Sequence, residues 1–282
     1  MSHEIPLAFP CNGESLVGIL HQPDRPRRIG VVIVVGGPQY RVGSHRQFML
    51  LARYLAEQGY AVLRFDCRGM GDSGGEFPGF ERISADITAA VDLLFSQASG
   101  IEQVVLWGLC DAASAALLYA SGDRRIAGMV LLNPWVRSDA TLAKTYLRHY
   151  YLARLMSREF WSKLFAGQLK PGRVVGDLAG NIRAGTGQAA QTERRDFVSR
   201  MRDGLESFGR PVLIVLSGND ITAAEFAGVA ESPDWQRLLQ RPGVTRHAIP
   251  DANHTFSTAA WRDQVAGLTA GWLEALESRW IA

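Results

Sequence analysis

The sequence predicts an α/β fold, in which a mostly parallel, twisted β-sheet is covered by helices on both faces. Apolar, β-branched strands alternate with segments of helical spacing along most of the chain. The strand at 30–35 is continuously apolar and β-branched, as expected where both faces of a sheet are buried. At 282 residues, 47% of them hydrophobic, the chain is long enough for one large domain with an insertion.

The predicted elements begin with a β-hairpin and continue as alternating strands and helices. Asn12-Gly13 separates two alternating runs, at 5–9 and 16–20, and this pair is a strong hairpin signal. Gly59 ends the first helix. The later strands are predicted at residues 30–35, 60–65, 104–107, 126–132, 211–216 and 244–249, and the main helices at 44–58, 80–97, 112–119 and 259–276.

Residues 136–208 interrupt this alternation. The segment begins polar and helical, carries an excess of Lys and Arg, and then becomes rich in Gly, Ala and Gln. We predict a core domain formed by residues 1–135 and 209–282, and an inserted helical cap subdomain formed by residues 136–208.

Composition excludes several classes of function. A formal net charge of +2 by itself argues neither for nor against nucleic acid binding, and we expect no nucleic acid partner. Cys11, Cys67 and Cys110 are too few and too widely spaced for a disulfide framework or a metal or redox pair, and we expect no cofactor and no metal. The first residues lack the pattern of a secretory signal, and no apolar run approaches the roughly 20 residues of a membrane span. We therefore expect a cytoplasmic protein.

Reactive side chains follow the ends of three different predicted strands. Cys110 follows the strand at 104–107, Asp220 the strand at 211–216, and His254 the strand at 244–249. Ligands of parallel α/β sheets bind at the carboxyl ends of the strands, where these residues would meet. The order of nucleophile, acid and base predicts a catalytic triad, with Asp251 as the alternative acid.

The stretch Gly108-Leu109-Cys110-Asp111-Ala112 indicates a nucleophile elbow, a sharp turn between strand and helix that needs small neighbours. The following helix directs its positive end at Cys110 and favours a thiolate. The alternative is that Cys110 is a small buried residue. The oxyanion hole would combine the N–H groups of Asp111 and Gly37, because Pro38 has no N–H.

The sequences DCRGMGDS (66–73), GND and NHTF, together with the elbow, resemble the α/β-hydrolase superfamily over nearly the whole chain. GGPQYRVGSHRQF (36–48) and GLCDAAS (108–114) resemble the first type of exosortase A system-associated hydrolases, bacterial proteins encoded beside exopolysaccharide and protein-sorting genes. The chain departs from the superfamily in two places. Val35 stands where many members have histidine, and Cys110 where most have serine, a replacement shared with dienelactone hydrolases.

These observations predict an acyl hydrolase that cleaves an ester or thioester through a thioester acyl-enzyme, in exopolysaccharide or envelope biogenesis. An acyltransferase with the same triad, and a catalytically silent scaffold that binds a ligand or partner, stay open as alternatives. Gln39 and Tyr40 are predicted to contact a small or carrier-bound acyl substrate, and either is an alternative oxyanion donor. Arg148 and the other basic residues of the insertion favour an anionic substrate, unless they form only a solvated face. A homodimer is left open.

Overall fold

The computed structural model describes residues 2–37, 39–136 and 188–281. Within these ranges eight strands form one sheet, in the order β1-β2-β4-β3-β5-β6-β7-β8. β2 pairs antiparallel with β1 and with β4, and every other neighbouring pair is parallel. The prediction of a mostly parallel sheet is confirmed. The strands are β1 (Ser2–Cys11), β2 (Glu14–Pro23), β3 (Ile29–Val34), β4 (Ala61–Phe65), β5 (Gln103–Leu109), β6 (Ile126–Leu132), β7 (Val212–Ser217) and β8 (Val244–Ile249).

The first two strands form the predicted hairpin. Cys11 pairs with Glu14, so the turn consists of Asn12 and Gly13 alone. Both turn residues have positive φ, 50° and 85°. Such a two-residue turn requires left-handed backbone at both positions, which Asn and Gly adopt at low cost.

The helices lie on both faces of the sheet, as predicted. The first and last helices pack together on one face, the second and third on the other, and the fourth packs against the third. The last helix is five residues longer than its predicted range. The helices are α1 (Gln47–Glu57), α2 (Ser84–Gln97), α3 (Asp111–Tyr119), α4 (Gln188–Phe208), α5 (Ile221–Ala230), α6 (Pro233–Leu239) and α7 (Ala259–Ile281).

The core lies between the central strands and these two layers of helices. Every residue of β3 and β6 is buried, which explains their continuous apolar sequences. Trp107 of β5 contacts the edge of the Phe48 ring, with centroids 5.6 Å apart, and its indole Nε1 donates to Thr269 Oγ1 at 3.4 Å. This indole therefore joins α1 and α7 to the centre of the sheet.

Part of the predicted insertion packs with the core. α4 contacts α3, and its residues Phe197, Met201 and Leu205 are buried in the main apolar cluster. Residues 137–187, which include most of the predicted cap, lie outside the described residues, so the domain division stays a prediction. In the described part of the chain, no helix has the length and apolarity needed to cross a membrane.

Candidate active site

Cys110 lies in a sharp turn between β5 and α3. Its backbone has φ 63° and ψ −125°, a conformation that is costly for any residue except glycine. Its N–H donates to the carbonyl oxygen of Leu132 at 2.9 Å, and its own carbonyl oxygen accepts the Trp135 N–H at 3.2 Å. Both bonds connect the turn to the end of β6, and they maintain the strained conformation that a nucleophile elbow requires.

Small residues let the helix begin this close to the strand. A Cβ on Gly108 would lie 2.7 Å from the carbonyl carbon of Ala112, so no larger residue fits there without displacing α3. Ser114, one turn further on, is fully buried and donates its hydroxyl to the Trp135 carbonyl oxygen at 2.7 Å. Ser114 is therefore a structural residue, whereas the Cys110 side chain is only partly buried.

His254 and Asp220 form a hydrogen-bonded pair at the same edge of the sheet. His254 Nδ1 lies 2.9 Å from Asp220 Oδ2. Asp220 follows β7 and caps α5, accepting the N–H groups of Thr222 at 3.3 Å and Ala223 at 3.0 Å. Asp251, the alternative acid, is exposed. This geometry leaves Nε2 as the His254 ring nitrogen for reaction, because Nδ1 faces the carboxylate.

The Asp220 carboxylate is held in its charged form. Burial by itself would raise the pKa of Asp220. The hydrogen bond to His254, the charge of the protonated imidazole and the two N–H groups of α5 outweigh burial, and the net pKa lies below its usual value. An ionised carboxylate at this place orients the imidazole and stabilises the imidazolium.

Asn133 connects the His254 loop to the end of β6. Its side chain is fully buried, and its backbone has a positive φ of 44°. Nδ2 donates to the His254 carbonyl oxygen at 3.1 Å and to Ser217 Oγ at 2.8 Å, while Oδ1 accepts the Ser217 N–H at 2.8 Å. Because Leu132, the preceding residue, accepts the Cys110 N–H, one strand end holds both the elbow and the histidine loop.

The N–H of Gly37, one of the two predicted oxyanion donors, is occupied by the side chain of Asp111. The N–H of Gly37 donates to Asp111 Oδ2 at 2.9 Å. Asp111 Oδ1 is buried without a hydrogen-bond partner, and a Cβ on Gly36 would lie 2.0 Å from it. Sequence reasoning considered only the backbone N–H of Asp111 here.

Of the three residues predicted to contact the substrate, Gln39 and Tyr40 lie in the described part of the chain. Tyr40 is 43% exposed, and its ring lies 4.7 Å from the Arg41 guanidinium carbon. Gln39 Oε1 accepts the Ser44 N–H at 3.4 Å, a contact within its own loop. Arg148 lies outside the described residues.

The other two cysteines are poor candidates for reaction. Cys11 and Cys67 are both buried. Burial raises the pKa of the Cys11 thiol, and raises that of Cys67 well above its usual value. Among the described residues, no cluster of His, Cys, Asp and Glu is suited to hold a metal ion.

The fold, the elbow and the His–Asp pair together define an α/β-hydrolase. The sequence model of the family described as serine aminopeptidase, S33 matches residues 27–256, which is most of the chain. The chain belongs to this family of α/β-hydrolases. The family description names serine, whereas the residue in the elbow of this chain is Cys110. A search of the curated proteins finds no matching sequence.

Solved structures of similar fold include several hydrolases. An esterase from Pyrococcus furiosus matches with a TM-score of 0.66 and 15% identity, covering 97% of this chain and 93% of that one. Est1E from Butyrivibrio proteoclasticus, solved with bound ferulic acid, matches with a TM-score of 0.64 and 20% identity over 96% of this chain and 99% of that one. Proline iminopeptidase from Mycobacterium smegmatis matches with a TM-score of 0.60 and 15% identity over 98% and 99%. At these identities the similarity demonstrates the fold.

Asn133 was missed from the sequence, and Ser217, which follows the strand predicted at 211–216, was assigned no role. Asn133 and Ser217 each stand at the end of a buried strand, and their position among apolar residues was the available signal. A polar residue there must find partners in the next strand end, because a buried polar group without a hydrogen bond is costly.

Proposed function

We propose that this chain is an acyl hydrolase of ester or thioester bonds, with Cys110 as nucleophile, His254 as general base and acid, and Asp220 as the residue that orients the imidazole. One observation carries the proposal. The residue in the strained turn between β5 and α3 is a partly buried thiol. The end of β6 is hydrogen-bonded both to this turn and to His254, which pairs with Asp220. A silent scaffold would have no need to maintain this strain.

The reaction proceeds in two steps. His254 takes the proton of the Cys110 thiol, the thiolate forms a C–S bond to the acyl carbon, and the carbonyl π electrons move to oxygen. When this oxyanion collapses, the bond to the leaving alcohol or thiol breaks, and the His254 imidazolium gives it a proton. Water then attacks the thioester, His254 accepts the water's proton, and the C–S bond breaks to release the acid and Cys110.

A thiolate nucleophile favours esters and thioesters over amides. Thiolate is a better leaving group than an amine, so an adduct with an amide would return to reactants. The name of one similar structure, the Pyrococcus furiosus esterase, is in line with this choice. The resemblance of GLCDAAS and GGPQYRVGSHRQF to exosortase-associated hydrolases supports a place in exopolysaccharide or envelope biogenesis, within the cytoplasm.

The nucleophile is tested by removing each thiol in turn. Cys110→Ala should lower kcat/KM for p-nitrophenyl butyrate by about 1000-fold or more, whereas Cys11→Ala should leave it within about two-fold. Intact-mass analysis after mild iodoacetamide treatment should show Cys110 labelled well before Cys11 and Cys67. Turnover that survives in Cys110→Ala would refute the proposal.

The acid is tested with a matched pair of carboxylates. Asp220→Asn should lower kcat by about 100-fold or more, because the imidazole loses its orienting acceptor. Asp251→Asn removes an exposed carboxylate three residues from His254 and should leave kcat unchanged. The opposite result would assign the role to Asp251. Adding alcohol acceptors to the same assay distinguishes hydrolysis from acyl transfer.

A further inference from the structure

The side chain of Asp111 lies between the loop after β3 and the start of α3. Oδ2 accepts the Gly37 N–H at 2.9 Å. Oδ1 is buried, has no hydrogen-bond partner, and occupies the space that the absent side chain of Gly36 leaves open. The carboxylate is thus enclosed by two consecutive glycines and the elbow.

This space is where an acyl oxyanion would bind if the proposed function is correct. In that reaction the developing negative charge is stabilised by an N–H from the loop after β3 and by the N–H that follows the nucleophile. Those donors are the backbone groups of Gly37 and Asp111. The Asp111 carboxylate already uses the first of them, and a second anion at the same donor would be repelled.

The backbone N–H groups around Asp111 do not fully offset the cost of burying its charge. Burial raises the pKa of Asp111, and the N–H groups of Gly37, Ala112 and Asp111 itself counteract this only in part. The charge of protonated His254 also lowers this pKa, so the imidazole acts on the carboxylate across the site. Among the described residues, no Lys or Arg forms an ion pair with Asp111, in contrast to buried Asp86, which pairs with Arg68 at 2.8 Å.

We propose that Asp111 gates the oxyanion hole: in the resting enzyme its carboxylate occupies the Gly37 N–H, and the substrate carbonyl oxygen must displace it before Cys110 can react. The gate rests on the proposed function, because it has meaning only if an oxyanion forms at Cys110. It makes the resting enzyme slow towards weakly bound esters. A substrate that binds strongly elsewhere in the site can supply the free energy for displacement.

The test compares one reagent that needs the oxyanion hole with one that does not. Hexanal adds reversibly to a thiol: a C–S bond forms, the carbonyl π bond breaks, and the oxygen takes the negative charge and then the thiol proton. Iodoacetamide alkylates the same sulfur and expels iodide without forming an oxyanion. The alkylation rate is measured at high pH, where it no longer increases with pH, so that ionisation of the thiol does not enter the comparison.

Asp111→Ala keeps the backbone N–H and removes the carboxylate. We expect its Ki for hexanal to fall about 10- to 100-fold, and its kcat/KM for p-nitrophenyl butyrate to rise, because the Gly37 N–H becomes available. Asp111→Asn keeps the shape without the charge and should give an intermediate Ki. The alkylation rate at high pH should stay within about two-fold in both variants. Asp251→Asn is the control: it removes an exposed carboxylate three residues before His254 and should change none of these quantities.

An unchanged or higher Ki in both Asp111 variants, with the alkylation rate preserved, would overturn the gate and assign Asp111 the role of bracing the Gly37 loop. Thermal melts followed by circular dichroism identify a misfolded variant. If Asp111→Ala is misfolded, Asp111→Asn is used for the comparison instead. Failure of the proposed function gives a different result. Cys110→Ala would then keep its turnover, and hexanal would inhibit this variant as strongly as the wild type. That result would refute both proposals.

Discussion

Replacing Asn133 should both destabilise the protein and slow the reaction, because its side chain joins β6 to the His254 loop. Asn133→Gly removes three hydrogen bonds to Ser217 and His254 but keeps the left-handed backbone accessible. At about 1 kcal/mol for each bond, the free energy of unfolding should fall by about 3 kcal/mol. Asn133→Ala should cost about 1 kcal/mol more, because alanine is strained at φ 44°.

Urea denaturation followed by circular dichroism measures these free energies, and p-nitrophenyl butyrate turnover measures the effect on the site. We expect kcat/KM of Asn133→Gly to fall about 100-fold, since a shift of the imidazole by about 1 Å is enough for such a loss. Asn12 is the matched control: it is exposed, lies in the distant hairpin and has a similar φ of 50°. Asn12→Ala should cost about 1 kcal/mol and leave turnover unchanged. If Asn133→Gly loses less than about 1 kcal/mol, or keeps full turnover, the reasoning about this network is wrong.

Two further predictions concern the stability of the sheet, at His21 of β2 and at Gly218 after β7. Burial lowers the pKa of fully buried His21 from 6.5 to about 4, so below pH 6.5 the unfolded chain takes up a proton that the folded chain does not, and stability should fall by up to about 3 kcal/mol as pH decreases to 4. Urea midpoints at pH 7 and pH 4.5 should therefore differ less in His21→Gln than in the wild type, and an equal difference would contradict the assignment. Gly218→Ala would place a Cβ 1.9 Å from the Pro250 carbonyl oxygen, forcing the ends of β7 and β8 apart, and should cost about 2 kcal/mol in the same assay. Gly228→Ala, in α5 with nothing within 4 Å of the new Cβ, should instead be neutral or stabilising, and similar losses in both variants would argue against the steric explanation.

The positions of the strands were predictable because most buried strands are apolar runs followed by a glycine or a polar residue. The positions of Cys110, Asp220 and His254 followed from the same pattern, since the carboxyl ends of parallel strands lie at one edge. The strand order, in which β4 lies between β2 and β3, did not follow from the pattern, because local periodicity carries no information about which strands pair.

The sequence favoured Asp220 over Asp251 as the carboxylate that pairs with His254 but left Asp251 open. Asp251 lies three residues before His254 in the sequence, and Asp220 follows the neighbouring strand β7. Neither position gives the direction of the carboxylate side chain. Asp220 is directed by its role as the N-cap of α5, which places Oδ2 2.9 Å from Nδ1 of His254. The position of the Asp111 carboxylate was equally beyond reach, because it depends on the space left open by Gly36, a glycine 75 positions earlier.

The strained backbone conformation of Cys110 does not depend on the Sγ atom of its side chain. Its φ and ψ depend on bonds made by backbone atoms of Leu132 and Trp135 and on the absent side chain of Gly108. Exchanging sulfur for oxygen at this position would leave all of these intact. Within a family named for serine, a single substitution can therefore exchange oxygen for sulfur at this position while the backbone of the turn stays unchanged.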